Sequence, residues 1–165
     1  MSQQQSASNL KAFIRTIYFL HYGIMLSLAV FSGYAIYSSR RLGSLSFTQQ
    51  PMEFIIPLSL IGAIILGKFL TKLILNNNKK PKTLLQKLGL YQTTHLIRIA
   101  TVEGVGLFAA LTYLTTNNLF FLLIAGLAMI LLIMMIPSKD KIERAITLTP
   151  EDEVHFRNPE KKFDS

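Results

Sequence analysis

The sequence predicts an all-α membrane protein with four transmembrane helices arranged as two hairpins. Half of its 165 residues are hydrophobic and only 16% are charged, well below the share of about 25% found in soluble domains. The apolar residues form four long blocks instead of recurring at the spacing of one core-facing helix side. Polar segments separate these blocks, and most Lys and Arg residues lie in or beside them. This pattern is typical of a multi-pass membrane protein.

The chain divides into three parts. Residues 1–12 are polar and rich in Gln and Ser, which predicts a disordered cytosolic N-terminus. Residues 13–137 contain the four apolar blocks and form the predicted membrane domain. Residues 138–165 form a polar cytosolic tail that holds most of the acids. We expect its second half to be extended or disordered, because it has too few large apolar residues to build a core.

The first two predicted spans cover about residues 13–37 and 52–75. The first is too long for the apolar region of a signal peptide and lacks a clear cleavage site, so we interpret it as a retained span. The second begins after Pro51, where a missing backbone donor costs little. Lys68 and Lys72 lie in its last turns, from which their stems can reach the lipid headgroups.

The third and fourth predicted spans cover about residues 93–115 and 119–136. The third carries Arg98 early and Glu103 near its middle. The fourth is an unbroken run of 18 apolar residues, which is long enough to cross a bilayer. A short polar turn between them predicts a tight hairpin.

The basic residues predict that both termini lie in the cytosol. In a four-span arrangement the termini and the central loop share one side, and that side collects most of the cations. Those cations are Lys11, Arg15, Lys79, Lys80, Lys82, Lys87, Lys139, Lys141 and Arg144. Only Arg40 and Arg41 lie on the other side. The expected location is the bacterial inner membrane, with anionic lipids against the cytosolic face.

Several classes of function are disfavoured by the composition. The net charge of +8 is not accompanied by a groove-reading motif or by interleaved aromatic residues, so we expect no nucleic-acid partner. The chain has no cysteine, and its three histidines show no metal-ligand spacing, so no metal or other cofactor is expected. Converging polar groups of the kind that catalysis needs are also missing from the pattern. We therefore expect no enzymatic activity.

Glu103 is the strongest candidate functional residue. A charged side chain at the bilayer centre costs about 3 kcal/mol on insertion scales. On a helix with 100° per residue, Glu103, Gly106 and Ala110 fall within about 60° of one another. Small residues at this spacing allow a neighbouring helix to approach closely. We therefore expect Glu103 to face protein instead of lipid.

His21 is the predicted partner of Glu103, because the two residues lie at similar depths in the first and third spans. Such a pair could hold a proton or an ion. Glu103 could instead fix the register of the helices, or take part in ligand binding. Gly23 and Ser27 form a separate face of the first span that suits close helix packing.

Arg98 and His95 lie one helical turn apart near the cytosolic end of the third span. Arg98 lies about 140° round the helix from Glu103, which disfavours a direct pair between them. Together with Lys68 and Lys72, these residues are predicted to meet lipid headgroups or to mark the membrane interface.

An intramembrane Glu beside Gly, within paired helical hairpins, resembles the proteolipid (c) subunits of rotary ATPases. The resemblance covers the four-helix plan and Glu103, and it would imply proton or ion binding at that residue. The acid here lies in the first helix of its hairpin instead of the second, and the first span lacks the dense small-residue repeat of those rings. The YQTTHLIRIATVEG stretch and the PSKDKIERAITLTPEDE tail resemble a group of small, functionally uncharacterised bacterial four-helix membrane proteins.

These observations predict a structural or accessory subunit of a membrane assembly. The expected partners are further copies of the chain or a larger membrane complex. The alternative is a proton- or ion-handling membrane subunit that uses Glu103.

Overall fold

The computed structural model describes residues 9–39, 43–47, 51–76, 83–146 and 148–159, with only the backbone described at 75, 76 and 151. Of these residues, 86% are helical and none forms a strand, so the all-α fold class is confirmed. The predicted N-terminal segment up to residue 8 lies outside the described residues. So do the end of the tail from residue 160 and five of the basic residues used for orientation: Arg40, Arg41, Lys79, Lys80 and Lys82.

Six helices make up the described chain. They are α1 (Leu10–Ser38), α2 (Pro51–Asn76), α3 (Leu84–Thr116), α4 (Leu119–Met134), α5 (Lys139–Ala145) and α6 (Pro150–Arg157). The first three are each long and apolar enough to cross a membrane. α4 has 16 residues and reaches that length only together with α5, from which it is bent by 81°. The chain thus has three or four candidate membrane-spanning helices, as a multi-pass membrane protein requires.

α3 is the central helix of the bundle. It packs against α1, α2 and α4, and both α1 and α2 also contact α4. α3 and α4 pack closely after a turn of two residues, as predicted for the second hairpin. α1 and α2 contact each other little. The first predicted hairpin therefore does not pack as a pair, because α3 and α4 supply the contact surface for both of its helices.

The bundle has two distinct ends. The tail end contains the starts of α1 and α3, the end of α4, and the helices α5 and α6. The turn end contains the end of α1, the start of α2 and the Asn117–Asn118 turn between α3 and α4. Consecutive long helices therefore run in opposite directions.

Buried side chains form three layers along the bundle. The tail-end layer contains Leu10, Phe13, Ile17, Leu84, Leu88, Tyr91, Ile142, Ile146 and Phe156. The middle layer contains Leu28, Leu60, Ala63, Ile99, Val102, Ala128 and Leu132. The turn-end layer contains Ala35, Ile56, Ala109, Ala110, Tyr113, Phe121 and Ala125. Elsewhere the long helices expose large apolar side chains such as Phe19, Leu58 and Phe69, which suits a surface that faces lipid.

α3 begins nine residues before the predicted third span. Thr83 caps its first turn by accepting a hydrogen bond from the Gln86 backbone N–H. The helix has 33 residues and is therefore about 50 Å long, which exceeds the roughly 30 Å of hydrocarbon in a bilayer. Its first turns bury Leu84 and Leu88 against the start of α1 and the tail helices. They belong to the tail end, outside the predicted span.

The described part of the tail's second half, residues 148–159, is folded, contrary to the expectation of an extended segment. Thr149 and Asp152 form a capping box at the start of α6, in which each side chain binds the other residue's backbone N–H. Phe156 is only 3% exposed and lies in the tail-end layer. The Lys11 backbone N–H donates to the Pro159 carbonyl, which ties the end of the described tail to α1. One large aromatic side chain and a strong cap are enough, because α1 and α3 already supply an apolar surface.

Candidate functional site

α1 and α3 lie side by side and run parallel. Residues that contact one another across this pair are 74 to 76 positions apart in the chain. The contacting pairs are His21–His95, Ser27–Glu103 and Ser39–Tyr113. The first residues of the two helices, Leu10 and Leu84, show the same separation (84 − 10 = 74). The helices are thus aligned from their starts.

The predicted contact between His21 and Glu103 does not form. These residues are 82 positions apart (103 − 21), which is six to eight positions beyond the register of the two helices. That offset corresponds to about 9–12 Å along the helix axis. The prediction measured depth from Thr93, whereas α3 begins at Leu84. The earlier start brings His95 to the level of His21.

His21 and His95 form a buried pair near the tail end. Nδ1 of His21 and Nε2 of His95 are 3.1 Å apart, and the two rings stack with their centroids 5.3 Å apart. His21 is fully buried and His95 is 5% exposed. Nε2 of His21 lies 3.1 Å from the carbonyl oxygen of Leu132 in the last turn of α4. The pair therefore joins three helices at one point.

The partners of the two rings define which nitrogens carry protons. A carbonyl oxygen can only accept, so Nε2 of His21 carries a proton and donates to Leu132. In the neutral ring Nδ1 of His21 is then an acceptor, and Nε2 of His95 donates to it. The neutral pair thus forms a directed chain of two hydrogen bonds that ends on the α4 backbone.

Lys141 of α5 supports the end of α4 beside this pair. Its Nζ donates to the carbonyl oxygens of Met134 at 2.9 Å and Ile136 at 2.8 Å. A cation at a helix C-terminus also interacts favourably with the helix dipole. Lys141 therefore satisfies two carbonyl groups at the end of α4. His21 adds a second donor to the Leu132 carbonyl, which also accepts the Met135 backbone N–H.

Glu103 lies on the seam between α1 and α3 and is half-buried. The Ser27 hydroxyl lies within hydrogen-bond reach of both the Oε1 atom of Glu103 and the Ile24 carbonyl oxygen, and its one hydrogen is shared between these two acceptors. Ser27 itself is exposed on the outer face of α1. The expectation that Glu103 faces protein therefore holds on one side only, because the other side opens to the surface of the bundle.

The residues predicted to support helix packing fall into two groups. Gly106 is buried, and a Cβ atom placed there would lie 2.9 Å from Leu28 Cδ2 and 3.0 Å from Ala128 Cβ. Ala110 is buried in the turn-end layer. Gly23, in contrast, is exposed, and apart from its chain neighbours and its own helix backbone no heavy atom of the described residues lies within 4 Å of its Cβ position. Gly23 and Ser27 therefore lie on the outside of this chain.

The residues predicted to contact lipid headgroups differ in their exposure. His95 is buried against His21 and is not available to a lipid headgroup. Arg98 is half-buried, and its stem lies against Gly67 of α2, where a Cβ atom would be 3.0 Å from Arg98 Cγ. Lys68 and Lys72 are exposed. Their contact with headgroups stays a prediction.

A buried acid at the turn end was not singled out from the sequence. Glu53 in the first turn of α2 is 6% exposed, and Asn118 Nδ2 donates to its Oε1 atom at 3.4 Å. Asn118 also donates to the Ser46 carbonyl and caps α4 by accepting from the Phe120 backbone N–H. These contacts join the loop after α1 to the α3–α4 turn. The acid at the N-terminus of a helix was a visible signal, since such residues stabilise the first turn.

Among the described residues, no group of three His, Asp or Glu side chains is placed to hold a metal ion. The candidate site therefore consists of the buried histidine pair and the outward-facing Ser27–Glu103 pair. Comparison of the chain with protein-family models, curated proteins and solved structures gave no significant match.

Proposed function

We propose that this protein is a four-span inner-membrane protein that acts as a structural or accessory subunit of a membrane assembly. The observation that supports this most directly is the Ser27–Glu103 pair on the outer surface of the bundle. Glu103 lies 13 residues before the end of α3, which is about 20 Å along the helix and inside the thickness of the hydrocarbon. A carboxyl group at this depth is costly to leave against lipid.

The surroundings of the pair favour a partner helix. Gly23 and Ser27 lie one turn apart on the exposed side of α1, and Gly104 is exposed beside Glu103 on α3. Small residues allow a second helix to approach closely without displacing side chains. A hydrogen-bond donor or a cation on that helix would satisfy the carboxylate oxygens that Ser27 leaves open. We propose that such a helix covers this face.

Single-cysteine cross-linking tests this proposal, because the chain has no cysteine of its own. A photoreactive maleimide attached to the cysteine of Gly23→Cys lies on the face that the partner helix is proposed to cover. Gly62→Cys is the matched control, since Gly62 is an exposed glycine on α2 with open space around it. In native membranes we expect a discrete adduct from Gly23→Cys that is several times more abundant than from Gly62→Cys. Its mass distinguishes a second copy from another protein. Equal adducts from both variants, or none from either, would refute the proposal.

The proposed orientation places both termini and the tail end in the cytosol. Every Lys and Arg among the described residues lies at the tail end or in the half of a long helix nearest to it, and the described turn end carries none. This asymmetry favours a cytosolic tail end. A reporter fused after Ser165 should be cytosolic, and one inserted at Thr116 should be external. An external C-terminus would overturn this orientation.

The alternative of proton or ion handling through Glu103 has less support. The proposed proton- or ion-binding pair requires a contact between His21 and Glu103. Instead, His21 contacts His95 and Glu103 contacts Ser27. Reconstituted vesicles separate the two proposals: a proton flux that disappears in Glu103→Gln would favour the alternative.

A further inference from the structure

The buried histidine pair lies where three helices meet. It joins α1 and α3 through the contact between the rings and joins α1 to the last turn of α4 through the Leu132 carbonyl. None of these contacts is needed to explain the outer face at Ser27 and Glu103, which lie six residues from His21 along α1 and eight residues from His95 along α3, respectively. The pair is therefore a separate feature, and its chemistry is that of a proton site.

We propose that the His21–His95 pair binds a single proton beyond its neutral state, shared between the two rings, and that a second proton forces the rings apart. The ligand is thus the proton itself. The site would connect the acidity of the compartment at the tail end to the packing of α1 against α3.

The first proton can be bound without loss of a contact. In the neutral pair the bridging hydrogen is on Nε2 of His95. A proton that adds to the other nitrogen of His95 leaves this bridge intact and makes it a charge-assisted hydrogen bond. Transfer of the bridging hydrogen to Nδ1 of His21 moves the charge to that ring and again leaves one hydrogen between the nitrogens. In both forms His21 still donates to Leu132.

The second proton cannot be accommodated in this geometry. With both rings fully protonated, Nδ1 of His21 and Nε2 of His95 would each carry a hydrogen. Two donors of like charge would then face each other across 3.1 Å. The rings must separate, which opens the seam between α1 and α3.

The described residues around the pair supply no counter-charge. Tyr22 and Tyr91 contact the rings edge-on and by stacking, respectively. The charged side chains that act electrostatically on His95 are Arg98 of α3 and Lys141 of α5, and both are cations. On the α2 side, Gly67 lies against the Arg98 stem. These cations disfavour any positive charge on the pair. The first proton is offset by the charge-assisted bridge between the rings, whereas a second proton has no such compensation and adds repulsion between the two rings.

Nuclear magnetic resonance of the full-length protein, labelled with 15N-histidine in lipid nanodiscs, tests the proposal. The chain has three histidines, so each ring can be assigned with a single His155→Gln variant and one further variant. Near neutral pH we expect hydrogen on Nε2 of His21 and a coupling between its Nδ1 and Nε2 of His95 across the bridge. On acidification we expect both rings to change together as one proton is bound, followed by loss of the coupling.

The variant His21→Gln provides the comparison. It removes one ring, so His95 should titrate as a lone histidine with a changed midpoint and no cross-ring coupling. An unchanged His95 titration would overturn the proposal. So would two independent one-proton titrations in the natural sequence, or a His21 ring with hydrogen on Nδ1 alone. The measurements on the natural sequence remain decisive if His21→Gln does not fold.

Discussion

Lys87 of α3 and Asp152 of α6 form an ion pair in which Nζ and Oδ2 are 2.7 Å apart. Both side chains are largely buried, with 16% and 10% of their surface exposed. The same Oδ2 atom accepts the Thr149 backbone N–H of the α6 capping box. The Asp152 carboxylate therefore both caps the N-terminus of α6 and attaches this helix to the bundle.

Replacement of Asp152 by Asn should destabilise the docked tail. It leaves the Lys87 ammonium partly buried without its carboxylate, and hydrogen bonds to charged groups contribute about 1.5–3 kcal/mol. We expect a loss of unfolding free energy of this order, and a much smaller further loss when Lys87→Met is added. The matched control is Glu153→Gln, whose partner Arg157 lies in an exposed pair worth about 0.3–0.5 kcal/mol. Thermal unfolding in one detergent compares these three variants with the natural sequence. An equal effect at Asp152 and Glu153 would contradict the prediction.

Docking of the tail should depend on pH only in the acid range. Burial raises the pKa of Asp152, but the hydrogen bonds and charge of Lys87 and the hydrogen bonds from Thr149 outweigh it, so the pKa lies below its ordinary value. A carboxyl with a depressed pKa contributes stability above its unfolded pKa and loses it as pH falls through the folded value. We expect constant protease resistance of the tail from pH 8 to 5 and a loss below about pH 4. In Asp152→Asn this acid-dependent step should be absent or smaller.

The docked tail shows why the sequence predicted this region poorly. Its composition is polar, and Phe156 is its only fully described large aromatic residue that is buried. The apolar surface that receives it belongs to α1 and to the start of α3. Leu84, Leu88 and Tyr91 do follow the spacing of a helix face, so the early start of α3 could have been predicted. The docking partner could not, because it depends on contacts between distant parts of the chain.

Phe156→Ala should release α6 from the bundle. The ring is 3% exposed within the tail-end layer, and truncation of a buried Phe typically costs about 3–5 kcal/mol. We expect rapid proteolysis after residue 147 while α1 to α4 stay folded. Val154→Ala is the control, because Val154 is 45% exposed. Intact resistance in Phe156→Ala would mean that the tail does not depend on this side chain.

The candidate site was predicted in part. The presence of one acid in an apolar helix is visible in the sequence, and Glu103 does lie in a helix that is long and apolar enough to cross a membrane. The partner of Glu103 could not be predicted in the same way, because it depends on how α1 aligns with α3. A shift of a few residues in that alignment changes every pairing between the two helices. His21 and His95 are 74 positions apart, and no local pattern links them. Gly23 is exposed because α3 packs against a different side of α1, and the sequence of α1 alone does not indicate which side that is.

Gly106→Ala should destabilise the bundle, whereas Gly104→Ala on the same helix should not. A Cβ atom at residue 106 would crowd Leu28 and Ala128 at 2.9–3.0 Å, and overpacking costs about 1–3 kcal/mol. The gain in helix propensity on replacing Gly by Ala, about 1 kcal/mol, offsets this only partly at 106. At Gly104 the space around a Cβ atom is open, so Gly104→Ala should show only the gain in helix propensity. Thermal unfolding of both variants should therefore shift in opposite directions, and equal shifts would contradict the packing described here.

Glu103→Gln should leave the fold of one chain nearly unchanged and weaken its assembly. The glutamine side-chain oxygen can still accept the Ser27 hydroxyl, and hydrogen bonds between membrane helices average about 0.6 kcal/mol. The thermal midpoint of the isolated chain should therefore stay within a few degrees. The proposed partner, however, offers a hydrogen-bond donor or a cation to the carboxylate, and either interaction weakens when the charge is removed. The cross-linked adduct of Gly23→Cys should therefore fall several-fold when Glu103→Gln is added. Ser27→Ala is the control, because it removes the internal hydrogen bond and keeps the charge. If Ser27→Ala lowers the adduct and Glu103→Gln does not, the outer face binds its partner by shape alone, and Glu103 serves only to hold α1 against α3.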